Sequence, residues 1–329
     1  MSPGMEVIVA NKLYGGTINL MGKSYRKFGW KAIFVDTDNP EDFRRAVTEN
    51  TRAIFIENLA NPGGVVADLE AIAKVANEAG VPLVVDNTMA TPFLSQPIEW
   101  GADIVVHSTT KFLSGQGNAL GGVVIDSGKF PWLGNSKYPS LSEPSPEYNG
   151  LTFAETFGDL AYTMYSHAIS LRDLGCSQSP MNAWITLNGI ETLPLRIERH
   201  CSNALLVAQF LEKHPNVEWV SHAGLESSPY YELGKKYLPD GTGSVFTFGV
   251  KGGYESGLKM LETVELFSHV ANIGDTHSLI LHPASTTHRQ LSKEQLITAG
   301  AGPEVVRLSI GIECAEDLIA DLDQALKRL

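Results

Sequence analysis

The chain has 329 residues, 43% of them hydrophobic and 19% charged, with a formal net charge of −12. That is the balance of an ordinary globular protein with room for one large or two medium domains. The acidic charge argues against a nucleic-acid or anionic-membrane partner, because binding phosphate backbones needs clustered Lys and Arg. No apolar run reaches the roughly 18 residues of a membrane span, and no basic stretch leads into an apolar one at the amino end. Cys176, Cys201 and Cys314 form no C-x-x-C pair, which fits a reducing, cytoplasmic setting without a disulfide framework.

The elements alternate from the start. Residues 5–10 (MEVIVA) read as a strand, 11–17 as a turn, and 32–35 as a second strand. Asn39 and Pro40 open a helix, one as cap and the other at the first helical position. Residues 52–57 make a third strand. Asp68 caps a helix whose apolar positions Leu69, Ile72, Ala73 and Ala76 recur at helical spacing. Strands follow at 81–86, 104–107 and 121–126. Strands separated by helices predict parallel pairing and a mostly parallel, doubly wound α/β sheet.

Residues 130–150 carry four prolines, a loop long enough to be functional or to contact another protomer. The pattern is helical from 152 to about 214, with Ile197, Cys201, Leu205, Ala208 and Leu211 forming one apolar stripe. After Pro215 it becomes mixed, with strands at 217–221, 243–250, 278–282 and 305–311 and a closing helix at 315–329. The expected division is a large domain over 1–214 and a smaller C-terminal α+β domain over 215–329.

Two strand ends carry chemistry. The run Ala102–Val106 leads into His107-Ser108-Thr109-Thr110-Lys111, and glycines follow at 115 and 117. A lysine at the carboxyl end of a buried strand sits where open α/β sheets bind ligands, and desolvation there would make its amine a nucleophile. Alone, it reads more readily as a solvated lysine starting a loop. The strand Val84-Val85-Asp86 ends in a carboxylate in the neighbouring unit, which alone would be a turn or capping aspartate. Arg307, in Val305–Gly311, shares a strand face with Ser309 while Val306, Leu308 and Ile310 take the other; its fork suits a substrate carboxylate or a surface ion pair.

Three tempting motifs fail. Gly115-x-Gly117 lacks the third glycine of a dinucleotide fingerprint and precedes a strand. Ser108-x-x-Lys111 has none of the partner motifs of serine acylases. His282 and His288, separated by prolyl turn chemistry, give no metal site. A lysine, a facing carboxylate, hydroxyls and an aromatic plate together fit pyridoxal 5'-phosphate: the acid keeps the pyridine nitrogen protonated and the ring acts as an electron sink.

Taken in order, Leu13-Tyr14-Gly15-Gly16-Thr17, Ala60-Asn61-Pro62, Val84–Thr88, Ser108–Lys111 and Arg307–Gly311 resemble the Cys/Met-metabolism family of pyridoxal-phosphate enzymes, of fold type I (aspartate aminotransferase-like). The resemblance covers the whole chain. Residues 272–275 (NIGD) running into 282–288 (HPASTTH), with the 130–150 insertion, are most similar to the O-acetylhomoserine sulfhydrylase branch. Cystathionine γ-synthase, cystathionine lyases and methionine γ-lyase share the core motifs.

The resemblance implies a role for each matching residue. Lys111 would carry the cofactor and move protons at the substrate's α carbon. Asp86 would pair with the pyridine nitrogen, Asn61 with the ring hydroxyl, and Ser108 and Thr110 with the phosphate. Tyr14 would stack on the ring and assist at the leaving group, while Arg307 would bind the α-carboxylate. Asn272 stands where several relatives place a substrate-contacting serine. The implied reaction is γ-replacement, in which sulfide displaces acetate from O-acetylhomoserine to give homocysteine in a cytoplasmic homo-oligomer, a dimer or tetramer. A non-catalytic subunit of the same fold is the competing reading. Relatives are expected to carry about a hundred residues ahead of the opening strand, a usual domain segment. That segment would hold a glycine-led helix end gripping the phosphate and a Tyr-x-Arg pair reaching a neighbouring subunit's site.

Overall fold

The computed structural model describes residues 1–61, 63–287, 289, 296 and 300–329. Strands β1 (Glu6–Ala10), β2 (Lys31–Val35), β3 (Thr51–Glu57), β4 (Leu83–Asp86), β5 (Ile104–Ser108) and β6 (Gly122–Asp126) form one sheet in the order β2-β1-β3-β4-β5-β6. The first five pair in parallel. β6 runs antiparallel to β5, so the expectation of parallel pairing fails at this edge. The reason is the connection: residues 109–121 hold one helical turn, Thr109–Leu113, and then turns, so no crossover helix returns the chain to start a parallel neighbour.

The connecting helices start as their caps predict. Asn39 accepts from the Glu41 N–H ahead of Pro40–Ala46, and Asp68 accepts from the Ala71 N–H ahead of Leu69–Ala79. Each cap removes one unpaired helix-end donor, worth about 1 kcal/mol. Leu69, Ile72, Val75 and Ala76 pack under the sheet with Ile8, Ile54, Ile56 and Val85.

A second, mostly antiparallel sheet follows residue 215. Its strands β7 (Val217–Ser221), β8 (Val245–Val250), β9 (Ser268–His269), β10 (Leu279–Leu281) and β11 (Val305–Ser309) lie in the order β9-β10-β11-β8-β7. Phe246, Phe248, Val306 and Leu308 pack there against Leu318 and Leu322 of the helix Ala315–Leu326. Each buried leucine contributes about 1.5–3 kcal/mol. The helix Leu193–Glu212 serves both cores, with Ile197 and Cys201 in the first and Ala204, Val207, Ala208 and Leu211 in the second.

The proline-rich stretch 130–150 builds a small core of its own. Phe130, Trp132 and Leu141 pack with Phe153, and Trp132 stacks on Tyr162 at 5.5 Å between centroids. Among the described residues no helix is long and apolar enough to cross a membrane.

Candidate active site

The parallel strands β3, β4 and β5 end at one edge, and a cavity of about 260 Å³ opens there. Every candidate named from the sequence lines it: Lys111, Asp86, Ser108 and Thr110 from the β4 and β5 ends, Tyr14 and Asn61 from the turns after β1 and β3, and Arg307 and Asn272 from the C-terminal half. Pro62, the last residue of the Ala60-Asn61-Pro62 motif, lies outside the described residues.

Lys111 sits in the turn that follows β5. Arg196 on the helix Leu193–Glu212 holds this turn from below, donating to the Phe112 carbonyl at 2.9 Å and to the Gly189 carbonyl at 2.7 Å. Lys111 Nζ donates to Asn272 Oδ1 at 2.6 Å. Burial first, and then the Arg307 charge, lower the Lys111 pKa, which favours the free amine. Gly117, with φ +61°, lies where a Cβ would stand 2.6 Å from Asn272 Nδ2. The backbone at this glycine therefore lies close against the amide that holds the lysine.

On β4, burial raises the Asp86 pKa, opposed by hydrogen bonds from Thr88; the Thr88 N–H reaches Asp86 Oδ1 at 2.9 Å. The Thr88 hydroxyl in turn accepts from the Ser108 N–H at 2.8 Å, tying the two strand ends together. Thr110 accepts from the Gly121 N–H at 3.1 Å and donates to the Gly121 carbonyl at 3.3 Å, so its hydroxyl also closes the turn between β5 and β6. Tyr14 is 54% exposed at the cavity mouth.

Arg307 reaches the cavity from the middle of β11. It is buried, and it donates to Asn61 Oδ1 at 3.2 Å and to the Asn272 carbonyl at 3.1 Å. Burial pulls its pKa down to about 10, which leaves it charged at neutral pH. Val306 and Leu308 face the second core, so the alternation expected along this strand holds. Asn61 comes within reach because the following turn presses on the second sheet: a Cβ on Gly64, at φ +74°, would lie 2.4 Å from the Ser221 carbonyl oxygen.

Glu57 was missed by the sequence reading. It ends β3, is 4% exposed, and is the in-register partner of Asp86. Burial, and then Asp86, push its pKa well up. Its oxygens accept from the Tyr14 and Asn61 N–H groups. The only signal was its place at the end of an apolar strand, like Asp86. His282 is committed elsewhere, with Nδ1 to Ser285 Oγ at 3.0 Å and Nε2 to the Pro303 carbonyl at 2.8 Å. His288 lies outside the described residues.

This donor set fits pyridoxal phosphate. A buried carboxyl, Glu57, and a partly buried one, Asp86, held by neutral donors, face the cavity and would be relieved by a protonated ring nitrogen, and an amine with a lowered pKa shares their cavity.

The comparisons agree. The family described as "Cys/Met metabolism PLP-dependent enzyme" matches residues 1–327. The chain is 49% identical over 335 residues to an O-acetyl-L-homoserine sulfhydrylase of Leptospira meyeri, covering 99% of this chain and 76% of that protein. It is 46% identical over 326 residues to a homocysteine synthase of Schizosaccharomyces pombe, covering 98% of this chain and 76% of that protein. A crystal structure from Campylobacter jejuni, described as an O-acetylhomoserine (thiol)-lyase carrying a pyridoxyl-lysine phosphate, superposes with a TM-score of 0.95 at 42% identity. That match covers 99% of this chain and 78% of the other. The chain belongs to the Cys/Met-metabolism family of pyridoxal-phosphate-dependent enzymes.

Proposed function

We propose that the chain catalyses γ-replacement on O-acetyl-L-homoserine: sulfide forms the new C–S bond at Cγ, the Cγ–O bond breaks, and L-homocysteine and acetate leave. The observation that carries this reading is one cavity shared by Lys111, Asp86 and Arg307, in a chain 41–49% identical to relatives named for that chemistry.

When bound, the cofactor supplies the electron sink for carbanions at the substrate's α and β carbons. Lys111, its amine favoured by burial, takes and returns the proton at Cα. Arg307 grips the α-carboxylate with the charge-assisted geometry of its fork. Asp86 keeps the ring nitrogen protonated, and Asn61 orients the ring through its hydroxyl. Ser108 and Thr110 hold the phosphate end. Tyr14 covers the ring and moves the proton at the leaving group, and Asn272 holds Lys111 between steps. The test supplies O-acetylhomoserine with sulfide or with cysteine. Homocysteine should form faster than cystathionine; preference for cysteine would reject the sulfhydrylase assignment.

The same proposal includes the division of the chain into a cofactor-binding part over 1–214 and an α+β part over 215–329. It is supported by a second sheet built only from strands after residue 215. It also includes a homo-oligomer. Met181, Trp184 and Leu187 fall on one face of the helix Pro180–Glu191 and are 62%, 62% and 63% exposed, an apolar stripe of the kind that marks an interface. Sedimentation of the full chain should give a dimer or tetramer; a monomer at micromolar concentration would contradict it.

A further inference from the structure

Glu57 has no role in the chemistry above, yet two residues of that chemistry depend on it. Its Oε1 accepts from the Tyr14 N–H at 2.7 Å and its Oε2 from the Asn61 N–H at 2.9 Å. These donors come from separate turns, one after β1 and one after β3. Only a carboxylate offers two equivalent acceptors to two such donors. A glutamine would turn its amide hydrogens toward one of them, and an aspartate is one methylene shorter.

We infer that Glu57 is a positioning residue: its carboxylate ties the turns of Tyr14 and Asn61 to one point and so sets the Tyr14 ring and the Asn61 amide against the cofactor ring. The tie itself is independent of the proposed reaction; its consequence for the cofactor rests on the roles given above to Tyr14 and Asn61.

Two observations bear on the tie. The Tyr14 side chain is 54% exposed, so packing does little to fix it. Asn61 passes the constraint on through Oδ1, which accepts from Arg307 at 3.2 Å. One buried carboxylate thereby orders the residues at the ring face, the ring edge and the substrate carboxylate. Burial and the neighbouring Asp86 raise the Glu57 pKa, while the two N–H donors oppose the rise, so the tie is complete only in the ionised form, above that raised midpoint. Among the described residues, the other titratable groups on the cavity are Asp86, Tyr14, Lys111 and Arg307.

The test begins without cofactor. In the full chain labelled with nitrogen-15 at Tyr and Asn, the Tyr14 and Asn61 amide signals are assigned with Tyr14→Phe and Asn61→Asp. The two should shift together through one midpoint above the ordinary carboxylate range, and Glu57→Gln should abolish that shared step. Independent movement of the two signals, or a shared step that survives Glu57→Gln, would overturn the tie. The second arm is cofactor affinity, read by titrating the apoprotein with pyridoxal phosphate. Glu57→Gln should weaken binding by about tenfold. In a Tyr14→Ala/Asn61→Ala background the same change should cost less than about threefold, because the residues act as one unit. Equal losses in both backgrounds would overturn the inference. A parent chain that takes up no cofactor would sink the proposed function, while the amide titration would still decide the tie.

Discussion

The two sheets contribute to the cavity by different rules. In the first, parallel strands all finish at one edge, so Glu57, Asp86 and the residues after β5 gather there simply by ending their strands. In the antiparallel second sheet no common edge exists, and Arg307 enters from mid-strand by alternation while Val306 and Leu308 build the core. In the proposed mechanism the parallel edge carries the groups that hold cofactor and move protons, and the antiparallel strand carries the group for the substrate's carboxylate. A site divided this way should lose chemistry when the first sheet is altered and substrate affinity when the second is.

The largest effect belongs to the parallel edge. Lys111→Ala should lower the rate of homocysteine formation by about a thousandfold or more, since in the proposed mechanism it removes both the covalent attachment point and the proton carrier. Residual activity near that of the parent would break the comparison at its strongest point.

On the antiparallel side, Arg307→Lys should raise KM for the amino-acid substrate by about a hundredfold with a smaller change in kcat. A lysine keeps the charge but cannot span both Asn61 Oδ1 and the Asn272 carbonyl. Steady-state kinetics in both parameters decide this; a loss confined to kcat would mean that the two sheets do not divide the work as described.

The smallest effect crosses between the sheets. Arg307 helps depress the Lys111 pKa, after burial. Arg307→Gln removes that positive neighbour, so the ammonium form becomes easier to hold and the pKa rises. The rate at which the apoprotein captures pyridoxal phosphate, which needs the free amine, should shift its pH profile upward by about one unit or less. No shift, or a downward one, would show that burial alone sets the lysine.

The same contrast explains what could be read from the sequence. Asp86 and Lys111 stood out because apolar runs stop at polar residues there, and a parallel sheet makes every such stop a neighbour of the next. Arg307 was legible from alternation. Glu57 occupies the same kind of stop, but a lone carboxylate at a strand end reads as a turn; its meaning lies in an N–H 43 residues away and in its register with Asp86. The bond from Lys111 to Asn272 spans 161 residues, and no local pattern encodes it. The antiparallel β6 followed from a missing crossover helix, a signal available in the sequence but outweighed by the parallel pattern before it.

The most direct test of the central claim is to load the full chain with pyridoxal phosphate, reduce it with borohydride, and map the modified peptide by mass spectrometry. A single pyridoxyl-phosphate adduct on Lys111 is expected. An adduct on another lysine, or none, would contradict it.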